Sequence, residues 1–225
     1  MMDKWLTFDC YGTLVDWRSG MIDALRSVAG DDADGLLTAY HRYEPVVQTE
    51  NPTWSYRAVL REGVRRAALA CAIDLDAEQS DVLGRTLTLW PVFPDTEHAL
   101  RELRDCGYRL AILSNVDREL LDQTIAGLGV PFDEVVTSSE IGSFKPAAPH
   151  FDTFAERTGG DHDSWIHVAC SWYHDVIPAD RRGVRSVFVN REHSAEGPAP
   201  ATAVLDDLED LPATVDRLFG RAARD

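Results

Sequence analysis

Four stretches of the chain put reactive side chains at the ends of apolar runs. Trp5-Leu-Thr-Phe leads straight into Asp9, with Gly12 and Thr13 close behind. In α/β sheets ligands bind in the crevice beyond the C-terminal ends of the strands, so a carboxylate there, ahead of a glycine-hinged turn, is placed for catalysis. Asp9 is therefore a candidate nucleophile of the kind that forms an ester intermediate. Gly12 permits a tight turn that brings backbone N–H groups near it, and Thr13 adds a hydroxyl. Tyr108-Arg-Leu-Ala-Ile-Leu leads to Ser114 and Asn115, Ile141-Gly-Ser-Phe to Lys145-Pro146, and Ile166-His-Val-Ala-Cys to Ser171 and Asp175. Each has a plainer reading. Ser114-Asn115 and Asp175 could cap helices that follow them, and Lys145 could be a solvated loop lysine. Four such ends spread through one series of strands and helices point to a shared site rather than to coincidence.

The elements that must position these groups follow from periodicity. Strand-like runs are Trp5–Phe8, Tyr108–Ser114, Glu134–Thr137, Ile166–Cys170, Ser186–Asn190 and Ala203–Leu205. Helical spacing marks Asp16–Val28, Leu36–Val47, Tyr56–Ile73 and Asp81–Leu89, then Thr96–Cys106 and Val116–Leu128. No strand is expected between residues 15 and 91, so that tract reads as a helical insertion after the first strand. The alternation beyond it predicts a parallel sheet with right-handed crossovers and helices on both faces.

Composition excludes several classes of function. At 225 residues and 44% hydrophobic, the chain can bury one substantial core. A formal charge of −16 argues against nucleic-acid or anionic-membrane partners, and any anion site needs local positive groups. No apolar run approaches the ~20 residues of a membrane span. Met1-Met2-Asp3-Lys4 shows no secretory signal, and the cysteines at 10, 71, 106 and 170 lack metal-type spacing, so a cytoplasmic location is expected. Homodimer formation stays open.

Phe8-Asp-x-Tyr-Gly-Thr-Leu-Val-Asp16, Leu113-Ser-Asn115, Phe144-Lys-Pro146 and His174-Asp175 resemble the four motifs of the haloacid dehalogenase superfamily. The resemblance spans nearly the whole chain. It implies an α/β fold with a Rossmann-like parallel-sheet core, residues 1–14 and 92–225, and an inserted helical cap domain, residues 15–91. Phosphatases of the superfamily carry a second aspartate two positions after the nucleophile. Here that position is Tyr11, a poorer acid and no substitute for a carboxylate near a hard cation. Asp-x-Tyr-Gly-Thr is similar instead to the L-2-haloacid dehalogenase branch, whose members need no metal or other cofactor.

By that resemblance Asp9 attacks C2 of a small 2-haloacid in an SN2 displacement, and hydrolysis of the ester yields the 2-hydroxy acid. Thr13, Ser114 and Lys145 hold Asp9 ionised and oriented, and Lys145 also favours a small carboxylate substrate. Asn115 and a cap arginine receive the halide, with Arg42 the candidate and His41 and Arg57 its competitors. Asp175 positions Lys145 or the hydrolytic water, while Tyr11, Ser171 and Trp172 line the substrate site. Departures from the family pattern are Cys170-Ser171-Trp172 where it has Ser-Ser-Asn, and Phe151 where it has tyrosine. His174 could supply a base that the family lacks, against a packed or surface histidine. The alternatives are a phosphatase of the same superfamily that requires Mg²⁺, or a non-catalytic binding protein retaining the cleft.

Overall fold

Strand β1 (Trp5–Phe8) is buried along its whole length, which is why it reads as an unbroken apolar run rather than an alternating one. It pairs in parallel with β2 (Arg109–Ser114) on one side and with β4 (Trp165–Ala169) on the other. β3 (Glu134–Thr137), β5 (Arg185–Val189) and β6 (Ala203–Leu205) complete a six-stranded sheet in the order β3-β2-β1-β4-β5-β6. Every pairing is parallel. The order reverses direction at β1, so its C-terminal end opens onto the crevice of an α/β Rossmann-like core. Phe8 pairs with Ile112 and with Val168, so the three central strands end together around Asp9. The structure is a computed structural model describing residues 3–194, 197 and 200–220.

Between β1 and β2 the chain forms helices α1 (Trp17–Ala29), α2 (Ala33–Glu50) and α3 (Tyr56–Ala70), then shorter turns up to Leu89. Asp16 starts α1 by accepting the Ser19 backbone N–H at 3.0 Å, a capping role that its position before the apolar periodicity foreshadows. α2 runs longer at both ends than its spacing predicts and passes through Pro45. The expected Asp81–Leu89 helix is a short helix, Val82–Thr86, continued by a 3₁₀ turn. Leu25, Leu36, Tyr40, Leu60 and Val64 from these helices join Leu6, Phe8 and Leu14 in one apolar cluster. Val15 and Val92 pair antiparallel where the chain leaves and rejoins the sheet region. The helices Pro149–Thr158 and Leu211–Leu218, absent from the periodicity reading, each begin with proline in the first turn. Among the described residues no helix is long and apolar enough to cross a membrane.

Candidate active site

Lys145 is the hub of the crevice. Its side chain is 1% exposed, and its ammonium donates to Asp9 Oδ1 at 2.8 Å, Asp175 Oδ1 at 2.6 Å and the Leu113 carbonyl at 2.8 Å. Three donors meet three acceptors, so the buried charge is fully satisfied. Burial pushes the ammonium pKa down, but the Asp175 and Asp9 carboxylates outweigh it and raise it. Asn115 fixes the lysine's backbone: its Oδ1 accepts from the Lys145 N–H at 2.6 Å and its Nδ2 donates to the Lys145 carbonyl at 3.2 Å. One amide N–H of Asn115 remains for a bound group.

Asp9 receives one bond on each oxygen, from Lys145 on Oδ1 and from the Thr13 hydroxyl on Oδ2 at 3.1 Å. Thr13 in turn accepts the Cys170 backbone N–H at 3.0 Å, which ties the β1 turn to the end of β4. Gly12 sits in that turn at φ +99°, and a β-carbon there would lie 2.6 Å from the Cys170 sulfur and 2.8 Å from the Trp17 indole. Only glycine fits. Ser114 lines the cavity, but its hydroxyl accepts the Val116 N–H at 3.2 Å and is not among the groups hydrogen-bonded to Asp9.

Behind Asp175 lies a second layer that motif reading missed. His167 Nε2 is 3.0 Å from Asp175 Oδ1, and His167 Nδ1 is 2.7 Å from the Thr7 hydroxyl. The Trp165 indole N–H donates to that same hydroxyl at 2.7 Å. With the indole as donor, the Thr7 proton is left for His167 Nδ1, and Nε2–H then points at Asp175. Burial pushes the Asp175 carboxyl up, yet the Lys145 charge and the His167 hydrogen bond hold it well below the usual carboxylate range. The available signal is one histidine, His167, inside a five-residue strand otherwise apolar. Phe151 packs edge-on to the His167 ring at 5.0 Å, behind the site and fully buried.

After β4, Ser171 starts a single wide turn over Trp172–Val176, a geometry often found at functional sites. The turn buries Asp175 while Ser171, Trp172, Tyr173 and His174 line the cavity. The cavity measures about 630 Å³ and lies between Asp9 and Lys145 on one side and α1 and α2 on the other. Tyr11 contributes its ring to the wall, but its hydroxyl is 2.8 Å from Thr124 Oγ1. Burial raises the Tyr11 phenol pKa well above its ordinary value.

Arg42 does not line the cavity. Helical spacing sets Tyr40, His41 and Glu44 toward the cavity and turns Arg42, on the same helix, away into solvent. Arg57 is spent on Asp81 at 2.6 Å and does not line the cavity either. Of the competitors named from sequence only His41 does, and the cavity's arginines are Arg18 and Arg191. Arg191 is bound to the Thr13 carbonyl and to Asp95. Arg18, on α1, is exposed and has no hydrogen-bond or ion-pair partner among the described residues.

His150 Nε2 lies 2.9 Å from the Ser114 carbonyl, and burial with the Lys145 charge lowers its pKa to about 3. The unfolded chain takes up that proton near pH 6.5, so stability falls as pH drops from there toward the folded value of about 3. Unfolding free energy should decline by about 1.4 kcal/mol per pH unit over pH 6 to 4 from this group alone. Urea titrations at stepped pH would show the slope, and His150→Gln should flatten it.

The donor set does not fit a divalent cation. Asp9 Oδ1 and Asp175 Oδ1 are taken by one ammonium, Asp9 Oδ2 accepts from Thr13, and Asp175 Oδ2 is buried. Cys170 is a thiol whose pKa burial raises further, and a hard cation prefers oxygen ligands. No group of three His, Cys, Asp or Glu side chains among the described residues is arranged for a metal.

A family model described as haloacid dehalogenase-like hydrolase matches residues 4–168. The chain is 25% identical over 193 residues to an (S)-2-haloacid dehalogenase of Pseudomonas sp. strain YL, covering 84% of this chain and 83% of that protein. It is 31% identical over 128 residues to a glyceraldehyde 3-phosphate phosphatase of Methanothermobacter thermautotrophicus, covering 53% of this chain. That match spans only 56% of the phosphatase, about half its length. The fold superposes on the L-2-haloacid dehalogenase of Xanthobacter autotrophicus with a TM-score of 0.83 at 20% identity, over 95% of this chain and 98% of that one.

Proposed function

Because the chain belongs to the haloacid dehalogenase-like hydrolases, we propose that it is a metal-independent dehalogenase-type hydrolase in which Asp9 displaces the leaving group from C2 of a small 2-haloacid. The carrying observation is the Lys145 ammonium held between Asp9 and Asp175. It holds the Asp9 carboxylate in place with Thr13 and leaves a lone pair on each of its oxygens for attack. Tyr11 adds support, because its hydroxyl faces Thr124 and its position, two residues after Asp9, holds a phenol in place of a carboxylic acid. In the first step an Asp9 oxygen bonds to C2 as the carbon–halogen bond breaks, and halide departs with the electron pair. Water then cleaves the ester at the Asp9 carbonyl and releases the 2-hydroxy acid.

Halide release from a panel of 2-chloro and 2-bromo acids, with and without chelator, tests the reading. Turnover should persist in chelator and should not rise with added Mg²⁺. Loss in chelator restored by Mg²⁺, with cleavage of phosphate esters, would replace this reading with the phosphatase. Absence of any covalent step would favour a binding protein that keeps the cleft.

Arg18 is the free cation at the cavity among the described residues, and it suits either the substrate carboxylate or the departing halide. Arg18→Ala should raise KM or lower kcat by about tenfold, the scale of a lost charge-assisted contact. Arg42→Ala should behave like wild type. The reverse pattern in steady-state kinetics would return the role to Arg42.

A further inference from the structure

Hydrolysis of an ester at Asp9 needs a base for the attacking water, and the obvious groups around Asp9 are committed. Lys145 uses all three N–H donors, and Asp175 is buried, with Oδ1 held by Lys145 and His167 and Oδ2 shut off from solvent without a partner. His150 is fully buried with its Nε2 on the Ser114 carbonyl. The Cys170 thiol and the Tyr11 phenol are both pushed up by burial, so neither ionises readily. The chain also has Cys170 and Trp172 where the resemblance leads one to expect serine and asparagine.

We propose that His174 is the general base that activates water for hydrolysis of the Asp9 ester. The inference rests on the displacement reading given above. His174 lines the same cavity as Asp9, carried there by the wide turn that begins at Ser171. The Ser171 hydroxyl accepts the His174 backbone N–H at 3.1 Å and lies 3.2 Å from its Nδ1, which fixes the ring. Nε2 has no partner among the described residues and is not sealed from the cavity. His174 directly precedes Asp175, whose carboxylate shares the Lys145 ammonium with Asp9. His41, the cavity's other histidine among the described residues, is exposed on α2. Burial lowers the His174 pKa, so the ring is neutral and able to accept a proton at pH 7.

With Nδ1–H donated to Ser171, Nε2 takes a proton from water as its oxygen bonds to the Asp9 carbonyl carbon. The tetrahedral oxyanion collapses, the bond from that carbon to the substrate oxygen breaks, and the departing alkoxide takes the proton back from the imidazolium. Histidine is regenerated, and Asp9 leaves the step as a carboxylic acid that loses its proton to solvent.

The test separates the two half-reactions with (S)-2-chloropropionate. In His174→Ala the first equivalent of chloride should appear at close to the wild-type rate, which also proves the variant folded. The ester should then accumulate on the Asp9 peptide by mass spectrometry, and steady-state chloride release should fall about 100-fold or more. Added imidazole should restore part of it, which a merely structural role would not allow. Ester hydrolysis in the variant within a few-fold of wild type would overturn His174 while leaving the displacement intact. Failure of the wild type to form any ester would remove both. Independently of substrate, ¹⁵N spectra of histidine-labelled resting enzyme at pH 7 should show His174 Nε2 unprotonated. A proton on Nε2 would overturn the assignment.

Discussion

Asp9→Asn should abolish turnover, by at least ~10⁴-fold, the scale on which removal of a nucleophile acts. The substitution is nearly isosteric. Thr13 can still donate to the remaining oxygen and the Gly12 turn is untouched, so the fold should persist and the loss should report chemistry. An amide is a far weaker nucleophile than a carboxylate, and the Lys145 ammonium loses one of its two carboxylate partners. The sharper version follows the oxygen atoms. A carboxylate that merely activates water sends solvent oxygen directly into product. One that attacks carbon gives up its own oxygen when the ester is cleaved at its carbonyl. Single turnover in ¹⁸O-water with enzyme in excess should therefore give unlabelled product and leave the label in the Asp9 peptide. Label in the first-turnover product with none on Asp9 would reassign the nucleophile.

How much of this site can be read from sequence depends on whether a residue's role is set by its strand end or by a helix face. Asp9, Ser114 and Asp175 follow apolar runs, and in a parallel sheet such runs end together, so their convergence is legible in the order of the residues alone. The partners of Ser114 are not, because a serine after a strand can turn either to the nucleophile or to the next backbone N–H, and here it takes Val116. Arg42 falls outside the cavity lining for a different reason. Approximate spacing along a helix is insensitive to a shift of two residues, yet two residues rotate a side chain by about 200°. Tyr40 and Glu44 therefore face the cavity and Arg42 does not. His167 leaves only a faint mark, one polar residue within β4, because its partners Thr7 and Trp165 belong to a pairing that sequence distance conceals. The Pro149–Thr158 helix escapes periodicity because its apolar face is carried by few large residues, Phe151 and Phe154, packed against Trp165.

Lys145→Met should be severe in both activity and stability, because one nitrogen serves two carboxylates and a carbonyl. Methionine fills much of the volume, so the loss is electrostatic rather than a cavity. Asp175 would remain 1% exposed with His167 as its surviving partner, and breaking a buried pair in this way costs about 3–5 kcal/mol. The pH dependence gives the sign. Asp175 has its folded pKa held down, so its contribution is present above the unfolded value near 3.9 and is lost as pH falls below it. Lys145 has its folded pKa raised, so its contribution is complete below about 10.5 and is lost only as pH rises beyond that. The stability gap between wild type and Lys145→Met should therefore be widest from about pH 5 to 9 and close as acid protonates Asp175 in the variant. Turnover should fall about 10³-fold or more, since Asp9 loses the charge that orients it and a neighbouring carboxylate is left to repel it. Urea unfolding across pH, with halide release measured on the folded fraction, reads both effects. A gap that stayed constant down to pH 3 would mean that Lys145 acts by packing alone, and the ammonium would no longer explain how Asp9 is kept ready to attack.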